Sequence, residues 1–227
     1  MRQHYFITNI EPHQGSILLQ DKAVCKQITS VLRLGVGDEI VLGDGVGLRA
    51  VCTIAAIERT QIVCTVVTST REPAPAREIR VAAAITKRDT FEWTVQKTTE
   101  IGVTRITPLR TDRTIKLGAN LERLAAIARE AAEQSGRAYV PVIDPPMTID
   151  ELTAAEQSGF WCELDATTPA TVLHEVPSCV VAIGPEGGWS AQEREAFATH
   201  NWTPVLLAPT VLRAETAAIV AVTKALL

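Results

Sequence analysis

From residue 79 to the end of the chain, short apolar runs alternate with longer stretches of helical periodicity, and this alternation restricts the possible fold more than any other feature. Strand-like "IRVAAAI" precedes helical "DTFEWTVQKTTEIG"; then come "TRITPL", "NLERLAAIAREAAEQSG", "FWCEL", "CVVAIG", "SAQEREAFATH", "PVLLA" and a last helix up to Leu227. Strands that regularly alternate with helices predict an α/β domain with a mostly parallel sheet covered on both faces. In the helix from Asn120, Leu121, Leu124, Ala125, Ala128, Ala131 and Ala132 keep the spacing of a core face. Arg123, Arg129, Glu130 and Glu133 are expected to point outward.

The first seventy residues follow a different grammar. "EIVLGDG", "LRAVCTIAAI" and "QIVCTVV" are β-branched-rich runs separated by turn residues, with one helix expected near Lys22 to Leu34. A small barrel accounts for this pattern. "STREPAPARE", residues 69–78, is Pro/Ala-rich and aperiodic, as a linker would be. The boundary therefore falls near residue 72, giving domains 1–72 and 73–227.

Charge is unevenly placed. The net charge of −4 averages a neutral stretch over 1–72, a net +4 over 73–140 and a net −8 over 141–227. Only the middle third can attract phosphate electrostatically. Five scattered cysteines, Cys25, Cys52, Cys64, Cys162 and Cys179, form no C-x-x-C and read as free thiols of a reducing compartment. His4, His13, His174 and His200 are equally scattered, so no metal is expected. No run of eighteen apolar residues occurs and the N-terminus lacks a signal-peptide core, so a cytoplasmic protein without membrane attachment is expected.

"CVVAIGPEGGWS" places a Gly-rich turn at the carboxyl end of a strand, where open α/β sheets bind their ligands. Ser190 and Glu193 have capping-box spacing and define the start of the following helix. The turn has no Walker lysine, does not spell G-x-G-x-x-G and carries Glu186 at its centre, which disfavours a phosphate. A ligand with hydrogen-bonding groups, a flat portion and a positive charge suits it better, and S-adenosylmethionine meets that description. The alternative is a plain tight turn whose Glu186 favours the helix dipole. In "LLAPTVLRAETAAIVAV", Arg213 and Glu215 stand at the tip of an otherwise apolar helix, which suggests either a site or a simple ion pair. With Ala217 to Val222 showing no polar face, that helix is expected to be buried, in the core or in a subunit interface.

"IGPEGGWSAQE" with "LAPTVLRAETA" resembles the signature of the RsmE family, SPOUT-class uracil-N3 methyltransferases of small-subunit ribosomal RNA. "SVLRLGVGDEIVLGDGVG", "KRDTFEWTVQKTTEIGVTRITPLRTDRT" and "REAAEQSGRAYVP" resemble further family segments in the same order. The chain departs from the family's usual residues at Ala208, Val211, Asp112, Thr114 and Gln27.

The resemblance implies a PUA-like RNA-binding β-barrel, a SPOUT domain with a C-terminal trefoil knot, and a homodimer acting on 16S ribosomal RNA or the small subunit. It further implies S-adenosylmethionine held by Leu164, by Ile183, Gly184, Glu186, Gly187 and Gly188, and by Leu207, Ala208, Val211 and Leu212, with Thr216 and Ala217 behind them. Arg213 would stabilise charge on the uracil oxygens, and Glu215 would hold Arg213 or accept the proton. Arg33, Lys87, Arg88, Lys97, Arg110, Arg113 and Arg137 are the candidate RNA contacts, Lys97 alternatively pairing with Glu100. A non-catalytic RNA-binding or ribosome-assembly factor, or a SPOUT methyltransferase of another RNA, are the competing readings.

Overall fold

The computed structural model describes residues 4–10, 15–114 and 118–227, which divide into two compact units. The first comprises residues 1–74 together with 132–140, and the second 75–131 with 141–227.

In the first unit, β1 (His4–Ile7), β2 (Ser16–Leu19), β3 (Glu39–Gly43), β4 (Leu48–Ile57) and β5 (Ile62–Arg71) form one sheet in the order β1-β3-β4-β5-β2. β1 runs parallel to β3 and the other pairs are antiparallel. Alternation sends Ile40 and Leu42, Ala50, Cys52 and Ile54, and Ile62 and Cys64 into a single core, where each is essentially inaccessible. Two register shifts between β4 and β5 add the local twist that bulges produce. The expected helix is present as α1 (Lys22–Lys26), continued by a π-helical turn over Gln27–Val31. Asp21 caps it by accepting from the Ala23 and Val24 amides at 2.9 and 3.2 Å, and Val24 and Ile28 enter the core. Asp44 organises the turn after β3, accepting from Val46 N at 2.7 Å and Leu48 N at 2.9 Å.

Residues 132–140 are fastened to this unit by backbone groups. Gly47 N donates to Ala138 O and Val140 N to Gly45 O, while the Tyr139 hydroxyl donates to Glu72 O. Glu133, expected to face solvent, instead accepts a 2.7 Å hydrogen bond from the amide of Ile7 in β1. The linker expectation also shifts: Ser69, Thr70 and Arg71 continue β5, paired with Ala50, Arg49 and Leu48, because β4 is long enough to template them.

The second unit carries β6 (Glu78–Ala84), α2 (Arg88–Ile101), β7 (Arg105–Leu109), α3 (Leu121–Ser135), β8 (Val142–Ile143), α4 (Ile149–Ala155), β9 (Phe160–Cys162), α5 (Val172–Glu175), β10 (Ser178–Ile183), α6 (Ala191–Thr199), β11 (Thr203–Val205) and α7 (Ala214–Leu226); the last residues of α3 belong to the first unit. Its six strands are ordered β11-β9-β10-β6-β7-β8, and every pairing is parallel. The central strands read as continuous apolar runs because both their faces are covered. Small residues matter here: Ala82, Ala83 and Ala84 of β6 and Ala217, Ala218 and Ala221 of α7 are all buried, and α7 packs on β6, β10, α2 and α5. A second cluster joins Trp161, Trp189, Phe197 and Trp202 to Ile149 and Leu152, where α4 meets α6. Phe197 stacks on Trp161 at 5.2 Å and takes the edge of Trp189 at 5.0 Å.

Three details depart from the sequence reading. Ala125 is exposed, and Ile127 takes the core position beside Leu124 and Ala128. The strand expected over "PVLLA" ends at Val205, leaving Leu206 to Ala208 in a loop. Arg80, in the middle of β6, is buried and compensated rather than replaced by an apolar residue: Nε donates to the Thr107 hydroxyl at 2.8 Å, and the guanidinium pairs with Asp144 at 3.2 Å and with Glu156. Among the described residues no helix is long and apolar enough to cross a membrane.

Candidate functional site

Three neighbouring strands, β11, β9 and β10, end at the same edge of the parallel sheet, and the loops that follow them enclose a cavity of about 360 Å³. That volume lies within the range of small-molecule sites, about 300–1,000 Å³, and the place is where open α/β sheets bind ligands.

The loop after β10 follows from its sequence. Ser190 caps α6 by accepting from Glu193 N, and the Glu193 carboxylate accepts from Ser190 N at 2.7 Å, so the capping box is formed. Between Ile183 and Ser190 the chain turns, with Gly188 N donating to Pro185 O at 2.8 Å and Gly188 at φ +69°, a conformation that favours glycine. Gly184 lies on the indole of Trp189: a β-carbon there would stand 3.0 Å from Trp189 Cε2. Trp189 cannot yield easily, since it is 1% exposed and its Nε1 donates to Cys162 O at 2.9 Å.

The loop after β9 contributes Glu163, Leu164 and Asp165, and that after β11 contributes Leu207, Ala208, Val211 and Leu212. These two loops are tied to each other: Glu163 N donates to Val205 O, Leu206 N to Thr168 O, and Ala170 N to Leu206 O. Of the expected cofactor residues, Leu164, Ile183, Gly184, Glu186, Gly187, Gly188, Leu207, Ala208, Val211, Leu212 and Ala217 line the cavity, whereas Thr216 is exposed and does not. Arg213 and Glu215 do not line it either, although Leu212 and Ala214 beside them do. Arg213 is the exposed N-cap residue of α7, Glu215 sits half-buried in its first turn, and among the described residues no ion pair joins them.

Thr210 and the neighbours of Leu164, Glu163 and Asp165, fall within the expected cofactor loops and line the cavity, whereas sequence reasoning overlooked Trp189 and Arg194. Arg194 is held by Glu163 at 2.5 Å and by Trp189 O at 2.9 Å, a tertiary arrangement with no local signature. Three acidic residues, Glu163, Asp165 and Glu186, thus line the cavity beside one basic residue, Arg194, which Glu163 already pairs. The donor set fits a cationic ligand with hydrogen-bonding groups and offers no lysine to a polyphosphate. Burial pushes the Cys162 thiol well above the ordinary thiol range.

The basic candidates fall on both units. Arg33 is exposed at φ +57° in the first, where Arg137 is half-buried and its pKa lowered by desolvation. In the second, Lys87 and Arg88 are exposed at the start of α2, Lys97 turns to Glu100 at 2.8 Å, and Arg110 pairs with Glu151 at 3.3 Å in the open. Arg113, exposed in the loop after β7, donates through Nη1 to the carbonyl of Gly187. Among the described residues no group of three or more His, Cys, Asp or Glu could hold a metal; His13 lies outside them.

Known proteins share this arrangement. An RNA methyltransferase domain family matches residues 72–226, and an RNA methyltransferase PUA domain family matches residues 28–67. Ribosomal RNA small subunit methyltransferase E of Bacillus subtilis is 29% identical over 209 residues, covering 84% of this chain and 82% of that protein. The protein of the same name from Mycobacterium bovis is 28% identical over 235 residues, covering 95% and 88%. A crystal structure of ribosomal RNA small subunit methyltransferase E from Neisseria gonorrhoeae, bound to S-adenosyl methionine, matches with a TM-score of 0.88 at 27% identity, covering 98% of this chain and 96% of that one. The chain therefore belongs to the RNA methyltransferase family that includes ribosomal RNA small subunit methyltransferase E.

Proposed function

We propose that this protein is an S-adenosylmethionine-dependent methyltransferase that modifies N3 of a uridine in 16S ribosomal RNA, working in the cytoplasm as a homodimer whose C-terminal chain is knotted. The observation that carries this reading is the acidic three-loop cavity, together with the match over nearly the whole chain to a relative solved with that cofactor bound. Bound there, S-adenosylmethionine supplies an activated methyl group. The protein's work is then to place the nucleophile in line and exclude water. Leu164, Ile183, Gly184, Glu186, Gly187, Gly188, Leu207, Ala208, Val211, Leu212 and Ala217, which line the cavity, are assigned to the cofactor. Uracil N3 carries a proton at neutral pH, so its attack needs charge stabilisation on the uracil oxygens, assigned to Arg213, with Glu215 taking the proton. Their position beside the cavity rather than in its lining suits groups that meet the base rather than the cofactor. Arg33, Lys87, Arg88, Lys97, Arg110 and Arg137 are assigned to RNA; Arg33, Lys87 and Arg88 are exposed, Arg88 lying 4.0 Å from Glu92.

Incubating the purified chain with S-adenosylmethionine and unmodified small-subunit RNA or subunits, followed by mass spectrometry, is expected to show one methyl group on a uridine base. Arg213→Ala is expected to lower kcat by about 10²–10³, the scale of one lost stabilising donor, with cofactor affinity kept. Absence of calorimetric heat with S-adenosylmethionine would instead favour a non-catalytic RNA-binding factor, and methyl transfer only to another RNA would move the substrate assignment.

A further inference from the structure

Arg113 was assigned to RNA on charge, yet its side chain does something else. The strand order puts β7 and β10 on opposite sides of β6, so their ends stand two strand spacings apart, about 9–10 Å. Arg113, four residues beyond the end of β7, bridges that gap and donates from Nη1 to the carbonyl of Gly187 in the loop after β10. Its aliphatic stem lies along the same glycine: a β-carbon at position 187 would stand 3.3 Å from Arg113 Cδ and 3.5 Å from its Cβ.

The base of this strut is fixed. Asp112 N donates to Glu193 Oε1 at 2.9 Å, and the Ser190 hydroxyl donates to Asp112 Oδ2 at 2.6 Å. Glu193 is itself buried, and its other oxygen caps Ser190. The Thr111 and Thr114 hydroxyls, 2.7 Å apart, close the turn that presents Arg113. Two loops of different strands are thus tied together, and of these bonds the one from Arg113 to Gly187 ends on a residue that lines the cavity.

We propose that Arg113 is a positioning residue for the cofactor: it sets the orientation of the Gly187 peptide, and hence the floor offered by Glu186 to Gly188, rather than reading RNA phosphate. This inference rests on the cavity being the S-adenosylmethionine site. A charged donor is required because the carbonyl it restrains lies on an exposed loop, where water competes with a neutral hydrogen bond.

The test is calorimetric titration of the whole chain with S-adenosylmethionine, beside RNA binding measured over a salt series and steady-state kinetics. Arg113→Ala is expected to weaken cofactor affinity about tenfold, the scale of one hydrogen bond to a charged group. KM for the cofactor rises with it, while kcat, the RNA affinity and its salt slope stay as in the parent. Arg113→Gln, too short to reach Gly187, reproduces the loss, and Arg113→Lys recovers most of it. An unchanged urea midpoint accompanies these values, since Arg113 is exposed. Unchanged cofactor affinity with an RNA salt slope reduced by about one would overturn the proposal and return Arg113 to the phosphate. If the parent chain itself gives no heat with S-adenosylmethionine, the functional reading fails and takes this inference with it.

Discussion

Asp144→Ala is expected to destabilise the protein by about 3–5 kcal/mol, the cost of removing one partner from a buried charge network. Asp144 has a side-chain exposure of 4% and pairs with Arg80, itself 5% exposed, and with Arg105 at 2.8 Å. It also accepts the Thr107 hydroxyl at 2.6 Å. Two arginines meet two carboxylates, Asp144 and Glu156, so the native cluster is neutral; removing Asp144 leaves a guanidinium on the central strand inadequately compensated. Set against the 5–15 kcal/mol typical of a folded domain, the loss is a large fraction of the total. Urea unfolding of the variant should show the midpoint fall with little change in slope. Arg80→Met fills similar volume without a charge but strands Asp144 only partly, because Arg105 remains; a smaller loss is expected there.

Gly184→Ala is the second large effect, and it separates binding from folding. The added methyl would press on the Trp189 indole at 3.0 Å, and Trp189 is pinned by its bond to Cys162 O and by Phe197. The strain, about 1–3 kcal/mol for overpacking, is relieved most cheaply by shifting the turn around Glu186 and Gly187, which are exposed, whereas Trp189 is buried. If about 1.4 kcal/mol of it must be restored whenever the loop takes its binding shape, affinity for S-adenosylmethionine falls about tenfold. Calorimetry together with thermal unfolding measures both parts. Full cofactor affinity in this variant would mean that the Gly184–Trp189 contact does not shape the site.

Local signals carried much of the fold. A mostly parallel sheet was legible because its strands are short apolar runs that alternate with helical periods, and Ser190 with Glu193 marked the start of α6 correctly. The strand edge that bears the cavity was likewise legible from a Gly-rich turn after "CVVAI". Elements with weak local signals were not. β8 has two residues, and β1 and β2 four each, so their pairing is decided by partners far along the chain. α4 carries a capping box, Thr148 with Glu151, but too few residues follow to establish a period. Tertiary polar pairs escaped altogether: Arg80 with Asp144, Glu133 with the Ile7 amide, and Arg194 with Glu163 are brought together only by the finished fold. The basic stretch shows both outcomes: the Lys97–Glu100 pair, three residues apart on one helix, was legible as an alternative, whereas Arg110 and Arg113 read alike and the structure turns one to Glu151 and the other to a glycine carbonyl.

The central claim is that the loops following β9, β10 and β11 together hold a methyl donor. Crystals of this chain grown with S-adenosylmethionine test it most directly. The ligand is expected between residues 163–165, 183–188 and 207–212, with its sulfonium end near the acidic residues. Those loops left empty at saturating ligand, the ligand seated elsewhere on the molecule, or a nucleoside triphosphate preferred in the same cavity would contradict it.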